Sequence, residues 1–187
     1  MDELNEVARH VGATEFHGTS SKNALYVASY VDIERGRAPS EFSNVPGFYT
    51  TSRIPAAVSR CNEKYCTEPQ ALVLFGPVED ANLSRFTFDF ADAAHIRLWR
   101  QLVWTGCNDE EYEFDCEQLF SADIVAGPIG VKAVSKSLSG IVAYEADQNG
   151  YLTVDAVAAV NAVRSHVVVC LSDEFVRPAK LSRDRRT

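Results

Sequence analysis

The sequence of 187 residues is short of positive charge. It contains 18 lysines and arginines against 26 aspartates and glutamates, which gives a formal net charge of −8. Sequence-independent binding to nucleic acid or to an anionic membrane requires clustered positive charge. The composition therefore argues against both partners for the chain as a whole, and it still allows a small anionic ligand in a local pocket.

Long apolar runs are also missing. No stretch approaches the roughly 18 apolar residues that a membrane-spanning helix needs, and the longest runs, such as residues 167–171, have the length of a strand. Residues 1–6 are acidic and polar, unlike the basic start and apolar run of a secretory signal. We expect a soluble cytoplasmic protein without a membrane partner.

The five cysteines are odd in number and scattered, which argues against a disulfide framework and fits a reducing compartment. Zinc ligands usually come as close cysteine pairs, whereas here four residues separate Cys61 from Cys66, eight separate Cys107 from Cys116, and no histidine pair accompanies them. We expect free thiols and no metal site. A nucleophilic Cys170 is an alternative, but its apolar surroundings predict a buried, inert thiol.

The common nucleotide and protease signatures are absent as well. The chain has no G-x-G-x-x-G, no G-x-x-x-x-G-K-[ST] and no H-E-x-x-H. These absences argue against a Rossmann dehydrogenase, a P-loop NTPase and a zincin protease.

The pattern of elements predicts a single α+β domain over residues 1–187. Apolar periodicity and turn residues predict strands at 14–19, 47–51, 71–75, 122–129 and 165–171, and a strand or irregular edge within 78–90. They predict helices at 1–12, 24–31, 56–61 with an extension to 65 left open, 91–104, 131–138 and 154–163, a polar loop at 34–46 and a flexible basic tail from about 178 to 187. Because strands and helices do not alternate as regular βαβ units, the predicted class is α+β rather than doubly wound.

Two short strings carry candidate chemistry. FHGT, at residues 16–19, places His17 at a strand end before a glycine whose backbone a ligand can approach closely. GFYTT, at residues 47–51, places the ring of Tyr49 on a strand. A histidine and a stacking tyrosine can together hold a flat heteroaromatic ring that bears a carboxamide or hydroxyl groups. Taken singly, each string is more often an ordinary turn or core feature.

In combination, these strings resemble the ADP-ribosyltransferase superfamily. The resemblance is closer to the DUF3990-type proteins, which also tend to carry a D-I-V-x-G-P-I string like that at residues 123–129, and it runs from about residue 15 to about residue 181. It implies a split, mostly antiparallel β-sheet core with flanking helices and a cleft that binds NAD as substrate.

The resemblance also implies roles for single residues. His17 would hydrogen-bond the ribose hydroxyls of NAD, the backbone of Gly18 would hold the nicotinamide carboxamide, Thr19 would line the adenosine side, and Tyr49 would stack on the nicotinamide. Arg53 follows the tyrosine strand directly, and a guanidinium matches the geometry of a pyrophosphate.

The chain departs from the family at the third catalytic position. That position is a glutamate, glutamine or aspartate opening a late strand, and in this frame it falls on His166. An imidazole does not supply the negative charge by which a carboxylate stabilises the transition state, so this departure argues against turnover but not against NAD binding. Three other acidic or amide groups lie outside the frame and are expected to be solvated surface: Glu117-Gln118, Asp147-Gln148 and Glu174.

Three functions remain open. The first is a transferase that cleaves the nicotinamide glycosidic bond of NAD and passes ADP-ribose to an unknown acceptor, for which protein, nucleic acid, small molecule and water all stay possible. The second is a catalytically inactive nucleotide- or protein-binding module on the same fold. The third is an RNA 2′-phosphotransferase-like enzyme, which shares the His-Gly-Thr string but fits the acidic composition poorly.

Overall fold

A computed structural model describes residues 1–33, 47–108, 119, 121–132, 138–163 and 166–172. Its elements, in chain order, are α1 (Asp2–His10), β1 (Glu15–Ser20), α2 (Ser21–Ser29), β2 (Phe48–Thr51), α3 (Ile54–Lys64), β3 (Gln70–Phe75), β4 (Arg85–Thr87), α4 (Ala93–Asn108), β5 (Ile124–Lys132), a 3₁₀ turn (Leu138–Gly140), β6 (Ile141–Tyr151), α5 (Val154–Ala162) and β7 (His166–Cys170). The predicted α+β class is confirmed. The predicted loop at 34–46, the tail, Glu117-Gln118 and Glu174 lie outside the described residues.

The described strands form one sheet in the order β4-β5-β6-β2-β1-β3-β7, in which only β4 and β5 run parallel. β3 pairs with β1 along the whole of β1. β2 pairs with β1 at one position, Phe16 opposite Thr51. The sheet therefore consists of two well-paired blocks, β4-β5-β6-β2 and β1-β3-β7, joined by a single residue pair.

Helices cover both faces of the sheet. On one face, α2 and α5 pack over a core that includes Ala24, Val73, Phe75, Tyr151 and Val160. On the other face, α1 and α3 pack over the β1-β3-β7 block, and α4 packs over the β4-β5-β6 region. Because neighbouring residues of a strand point to opposite faces, the strand register decides which side chains of the candidate site share a face.

Two predictions around β5 are wrong. The strand predicted at 122–129 was expected to end near its Gly127-Pro128 pair, but β5 continues to Lys132, with a register shift against β6 between Pro128 and Gly130. The predicted helix at 131–138 is replaced by the end of β5 and the 3₁₀ turn, with residues 133–137 outside the described part.

The longest described strand, β6, was not predicted. Its second half reads EADQNGY, which lacks the apolar alternation of a half-buried strand. Asp147 and Gln148, expected to be solvated surface in a loop, lie within β6, where Thr51 of β2 pairs with Gln148. Asp147 is exposed, but Gln148 is buried, so the expectation is wrong for Gln148. Cys170, expected to be buried, is exposed because it ends β7, the edge strand of the sheet.

Candidate functional site

A band of polar side chains crosses the sheet on the face that carries α2 and α5. The β2–β6 register places Thr50 opposite Asn149, and the Phe16–Thr51 pair places Thr50 beside His17. Two residues further along the same face, the registers align Asp147, Ser52 and Glu15. The sheet therefore brings groups from β6, β2 and β1 onto one surface around His17.

The imidazole of His17 is held in one tautomer. Its Nδ1 lies 2.7 Å from the carbonyl oxygen of Tyr49, and its ring stacks on Phe48 with centroids 4.7 Å apart. Burial lowers the pKa of His17 to about 4, and the charge of Lys64 acts in the same direction. A carbonyl oxygen only accepts hydrogen bonds, so Nδ1 carries the proton at neutral pH and Nε2 keeps a lone pair. His17 therefore presents Nε2 as an acceptor.

The backbone polar groups of Gly18 point toward β2. The N–H of Leu171 donates to the carbonyl of Gln70, 2.9 Å away, so Gln70 bonds toward β7 and the next residue, Ala71, forms a hydrogen-bonded pair with Thr19 of β1. In an antiparallel ladder such pairs alternate, so the odd-numbered residues of β1 bond β3 and the even-numbered residues face β2. Phe16 pairs with Thr51 across that side, whereas Gly18 has no ladder partner in β2.

The ladder between β1 and β2 stops beside His17. In a continuous ladder Gly18 would pair with Tyr49, two residues along from Phe16–Thr51, but Phe16–Thr51 is the one pair that joins these two strands. The carbonyl of Tyr49 accepts a hydrogen bond from His17 Nδ1. We use the word gap for the stretch between β1 and β2 beyond this last ladder pair, which the backbone N–H and C=O of Gly18 face.

Gly18 is also required by the packing of α3. A Cβ atom at this position would overlap the carbonyl oxygen of Ala57 and would lie 2.7 Å from the Sγ of Cys61. Burial raises the pKa of the Cys61 thiol to about 11, so this sulfur is a protonated packing atom that donates to the carbonyls of Thr19 and Ala71. The glycine thus lets α3 approach the strand closely.

Tyr49 lies across the gap from Gly18, and its ring projects to the opposite face from His17. The ring covers Gly150, where a Cβ atom would lie 2.8 Å from Tyr49 Cε1. The half-buried ring packs beside Leu152 against the core under α4. His17 and Tyr49 therefore flank the gap from opposite faces of the sheet, and a hydrogen bond from His17 Nδ1 to the Tyr49 carbonyl joins them.

The remaining predicted residues differ in accessibility. Thr19 is buried, with 2% of its surface exposed, near the end of β1 and two residues before α2 begins. Arg53 is exposed immediately before α3, and its backbone N–H donates to Thr51 Oγ1. Arg53 is therefore the more accessible of the two to a ligand.

His166 opens β7, as the sequence predicted, and both of its ring nitrogens face backbone carbonyls. Nδ1 lies 2.7 Å from the oxygen of Ala28 in the last turn of α2, and Nε2 lies 3.3 Å from that of Val160 in the last turn of α5. The ring also meets Phe75 edge-on, with centroids 4.9 Å apart. His166 therefore ties two helix ends to the edge of the sheet.

Glu15 was not singled out from the sequence. Its carboxylate accepts hydrogen bonds from Tyr151 Oη, 2.8 Å from both oxygens, and from Thr50 Oγ1. Burial and the charge of Glu15 raise the pKa of Tyr151, so the phenol stays a protonated donor. Glu15 precedes His17 by two residues on the same strand, and this spacing is the sequence signal that could have found it.

A cavity of about 270 Å³ adjoins the polar band beyond β6. Ser52, Asp147 and Asn149 form its side toward β2, and Arg85 forms part of the far side. The guanidinium of Arg85 bonds the carboxylate of Asp80 at 2.6 Å and the side-chain oxygen of Asn149 at 3.0 Å. The cavity therefore contains a guanidinium whose charge is already paired.

The D-I-V-x-G-P-I string contributes a structural clamp. Asp123 accepts hydrogen bonds from Thr153 Oγ1 at 2.7 Å and from the Ser84 amide and hydroxyl at 2.9 and 2.8 Å. These bonds, led by that from Thr153, lower the pKa of Asp123. They join the start of β5 to β4 and to the N-terminal cap of α5.

Within the described residues, no group of three histidine, cysteine or carboxylate side chains is arranged to hold a metal ion. The helices in that same part of the chain are too short or too polar to cross a bilayer. Comparisons of the chain with protein-family models, with curated proteins and with solved structures each found no match.

Proposed function

We propose that this protein is an ADP-ribosyltransferase-like protein that binds NAD at the gap between β1 and β2. The observation that carries the proposal is the single-pair join between these strands, beside which lie His17 Nε2 and the backbone of Gly18. The division of the sheet into two blocks also supports an ADP-ribosyltransferase-like split core.

The groups at the gap are complementary to the two parts of a nicotinamide riboside. A carboxamide offers an oxygen acceptor and N–H donors, and a strand residue with free edges offers one N–H and one C=O. A ribose hydroxyl can donate to the lone pair of His17 Nε2. The ring of Tyr49, which covers Gly150 on the other face of the sheet, supplies a stacking surface worth about 0.5–1.5 kcal/mol beyond burial.

Arg53 completes the proposed site at its charged end. NAD carries a pyrophosphate, and the chain around the site has a net charge of −8, so anion binding needs a local cation. Arg53 is exposed at the end of the segment that follows β2, and its guanidinium can bind phosphate oxygens bidentately.

The reaction proposed is cleavage of the bond between nicotinamide and ribose, with transfer of ADP-ribose to an acceptor or to water. A second candidate is a nucleotide-binding module on the same fold that has no turnover. The position of His166 favours this alternative, because its ring is held between two helix ends, with Nδ1 2.7 Å and Nε2 3.3 Å from backbone carbonyl oxygens.

The test measures NAD binding by titration calorimetry and nicotinamide release by chromatography. We expect His17→Leu to weaken binding at least tenfold, since it removes the acceptor at Nε2, and Tyr49→Leu to weaken it more than Tyr49→Phe, which keeps the ring. His10→Leu is the matched control, because His10 is exposed on α1 and its loss should leave binding unchanged.

The outcomes separate the candidates. Binding with nicotinamide release supports the transferase, and saturable binding without release supports the module. A wild-type protein that neither binds NAD nor releases nicotinamide would overturn both.

A further inference from the structure

We propose that Glu15 is the carboxylate that stabilises the positive charge developing on the ribose of NAD as nicotinamide departs. The inference rests on the proposed function and assigns to β1 a role that the family resemblance places at the start of the late strand. Its basis is the position, the hydrogen bonding and the unpaired charge of the Glu15 side chain.

Glu15 and His17 occupy the same face of β1. Residues two apart in a strand are separated by about 6.6 Å along it, and the side chain of Thr50, which lies beside His17 in the register, donates to the Glu15 carboxylate. A ribose whose hydroxyl bonds His17 Nε2 therefore lies beside this carboxylate.

The charge of Glu15 has no cationic partner within the described residues. Its half-buried carboxylate is satisfied by two hydroxyl donors, those of Tyr151 and Thr50. Hydroxyl donors orient a carboxylate but do not neutralise it, and an unpaired anion in a partly desolvated site is costly to maintain. The same negative charge, fixed in advance, stabilises a cation that forms next to it.

The register explains how Glu15 can take over a role expected at His166. Phe75 of β3 pairs with Glu15 on one side and with His166 on the other. The two residues thus lie at the same level of the same face, about 10 Å apart across two strand spacings. The ring of His166 faces carbonyl oxygens. Of the two carboxylates at this level, Asp147 lies two strands away on β6, whereas Glu15 is on the same strand as His17.

The chemical step is a heterolysis. The bond between C1′ of the ribose and the ring nitrogen of nicotinamide breaks, and its electron pair leaves with nicotinamide, which departs as a neutral molecule. The positive charge passes to C1′ and the ring oxygen, where Glu15 stabilises it. Water then forms the new C1′–O bond and releases a proton to solvent, which gives ADP-ribose, nicotinamide and H⁺.

The experiment compares Glu15→Gln with wild type in both NAD affinity and nicotinamide release. We expect the release rate to fall at least about 100-fold, as for removal of one preorganised electrostatic group, with an NAD dissociation constant within about threefold of wild type. Glu68→Gln is the matched control, since Glu68 is exposed between α3 and β3, and it should release nicotinamide at the wild-type rate.

A second variant separates charge from structure. Tyr151→Phe removes a hydrogen-bond donor but keeps the carboxylate, so we expect it to lower the release rate by no more than about tenfold. If Glu15→Gln does not fold, Glu15→Asp replaces it. This variant keeps the negative charge on a side chain that is one methylene shorter. It should bind NAD and release nicotinamide more slowly than the wild type does.

The contrary results are distinct. Wild-type release by Glu15→Gln, or an equal loss in Tyr151→Phe, overturns the role of Glu15 and leaves the proposed function standing. NAD binding without any release by the wild type also overturns that role, while retaining the binding site. Failure of the wild type to bind NAD overturns the proposed function and, with it, this inference.

Discussion

Substitution of Gly18 by alanine tests the packing that forms the candidate site. The added Cβ would overlap the Ala57 carbonyl oxygen and would lie 2.7 Å from Cys61 Sγ. Cβ atoms in proteins essentially never approach another heavy atom closer than 3.0 Å. The oxygen belongs to the backbone of α3, so the whole helix must move away from β1. Overpacking of a well-packed interior lowers the free energy of unfolding by about 1–3 kcal/mol. Because the obstructing atom is a backbone oxygen, we expect Gly18→Ala to lose about 3 kcal/mol, at the upper end of this range.

The assay is urea unfolding at neutral pH, with Gly12→Ala as the matched control. Gly12 has φ +66° and nothing within 4 Å of its added Cβ, so its substitution costs about 1–2 kcal/mol through backbone conformation alone. Gly18→Ala should be the more destabilising variant. A loss below 1 kcal/mol for Gly18→Ala, or one no larger than that of Gly12→Ala, would refute the close approach of α3 to β1.

Three further predictions concern titration and reactivity. Folding lowers the pKa of His17 from 6.5 to about 4, so between these pH values the unfolded chain binds a proton that the folded chain does not bind. The free energy of unfolding should therefore fall by up to about 3 kcal/mol as the pH drops from 6.5 to 4. Urea unfolding of His17→Gln should lack this pH dependence. The hydrogen bond from Thr153 is the main cause that lowers the pKa of Asp123 below 3.8. The ionised carboxylate therefore stabilises the fold above pH 3.8, and this contribution is lost as the pH falls through the folded-state pKa. If Asp123→Asn loses as much stability in acid as the wild type does, this prediction is contradicted. Cys61 is buried and its pKa is raised to about 11, whereas Cys66 is exposed. When the native protein is treated with a thiol reagent and mapped by mass spectrometry, Cys61 should react far more slowly than Cys66. Comparable rates would show that α3 does not shield Cys61.

Local patterns in the sequence predicted most of the element types. The apolar run at residues 71–75 became the fully buried β3, and Pro55 lies in the first turn of α3, where its missing N–H costs nothing. These predictions were confirmed because burial patterns and turn residues can be read from a few neighbouring positions. β6 was missed for the same reason: its polar second half has no local apolar pattern, and its strand conformation comes from pairing with β2 and β5.

The sequence also predicted only part of the candidate site. The sequence identified His17 and Tyr49 as residues of interest, but alternation within single strands does not say which faces they share. That depends on the register of β1 against β2, which places their side chains on opposite faces of the sheet.

By itself, the sequence determined the acidic balance, the α+β class and the position of the His-Gly pair at a strand, because each follows from composition or from contacts between near neighbours. Only the tertiary structure decided that β1 and β2 join at one residue pair, that α3 requires a glycine at position 18, and that Tyr151 donates to Glu15 from 136 residues away. Those features depend on contacts between segments far apart in the chain, which no local pattern encodes.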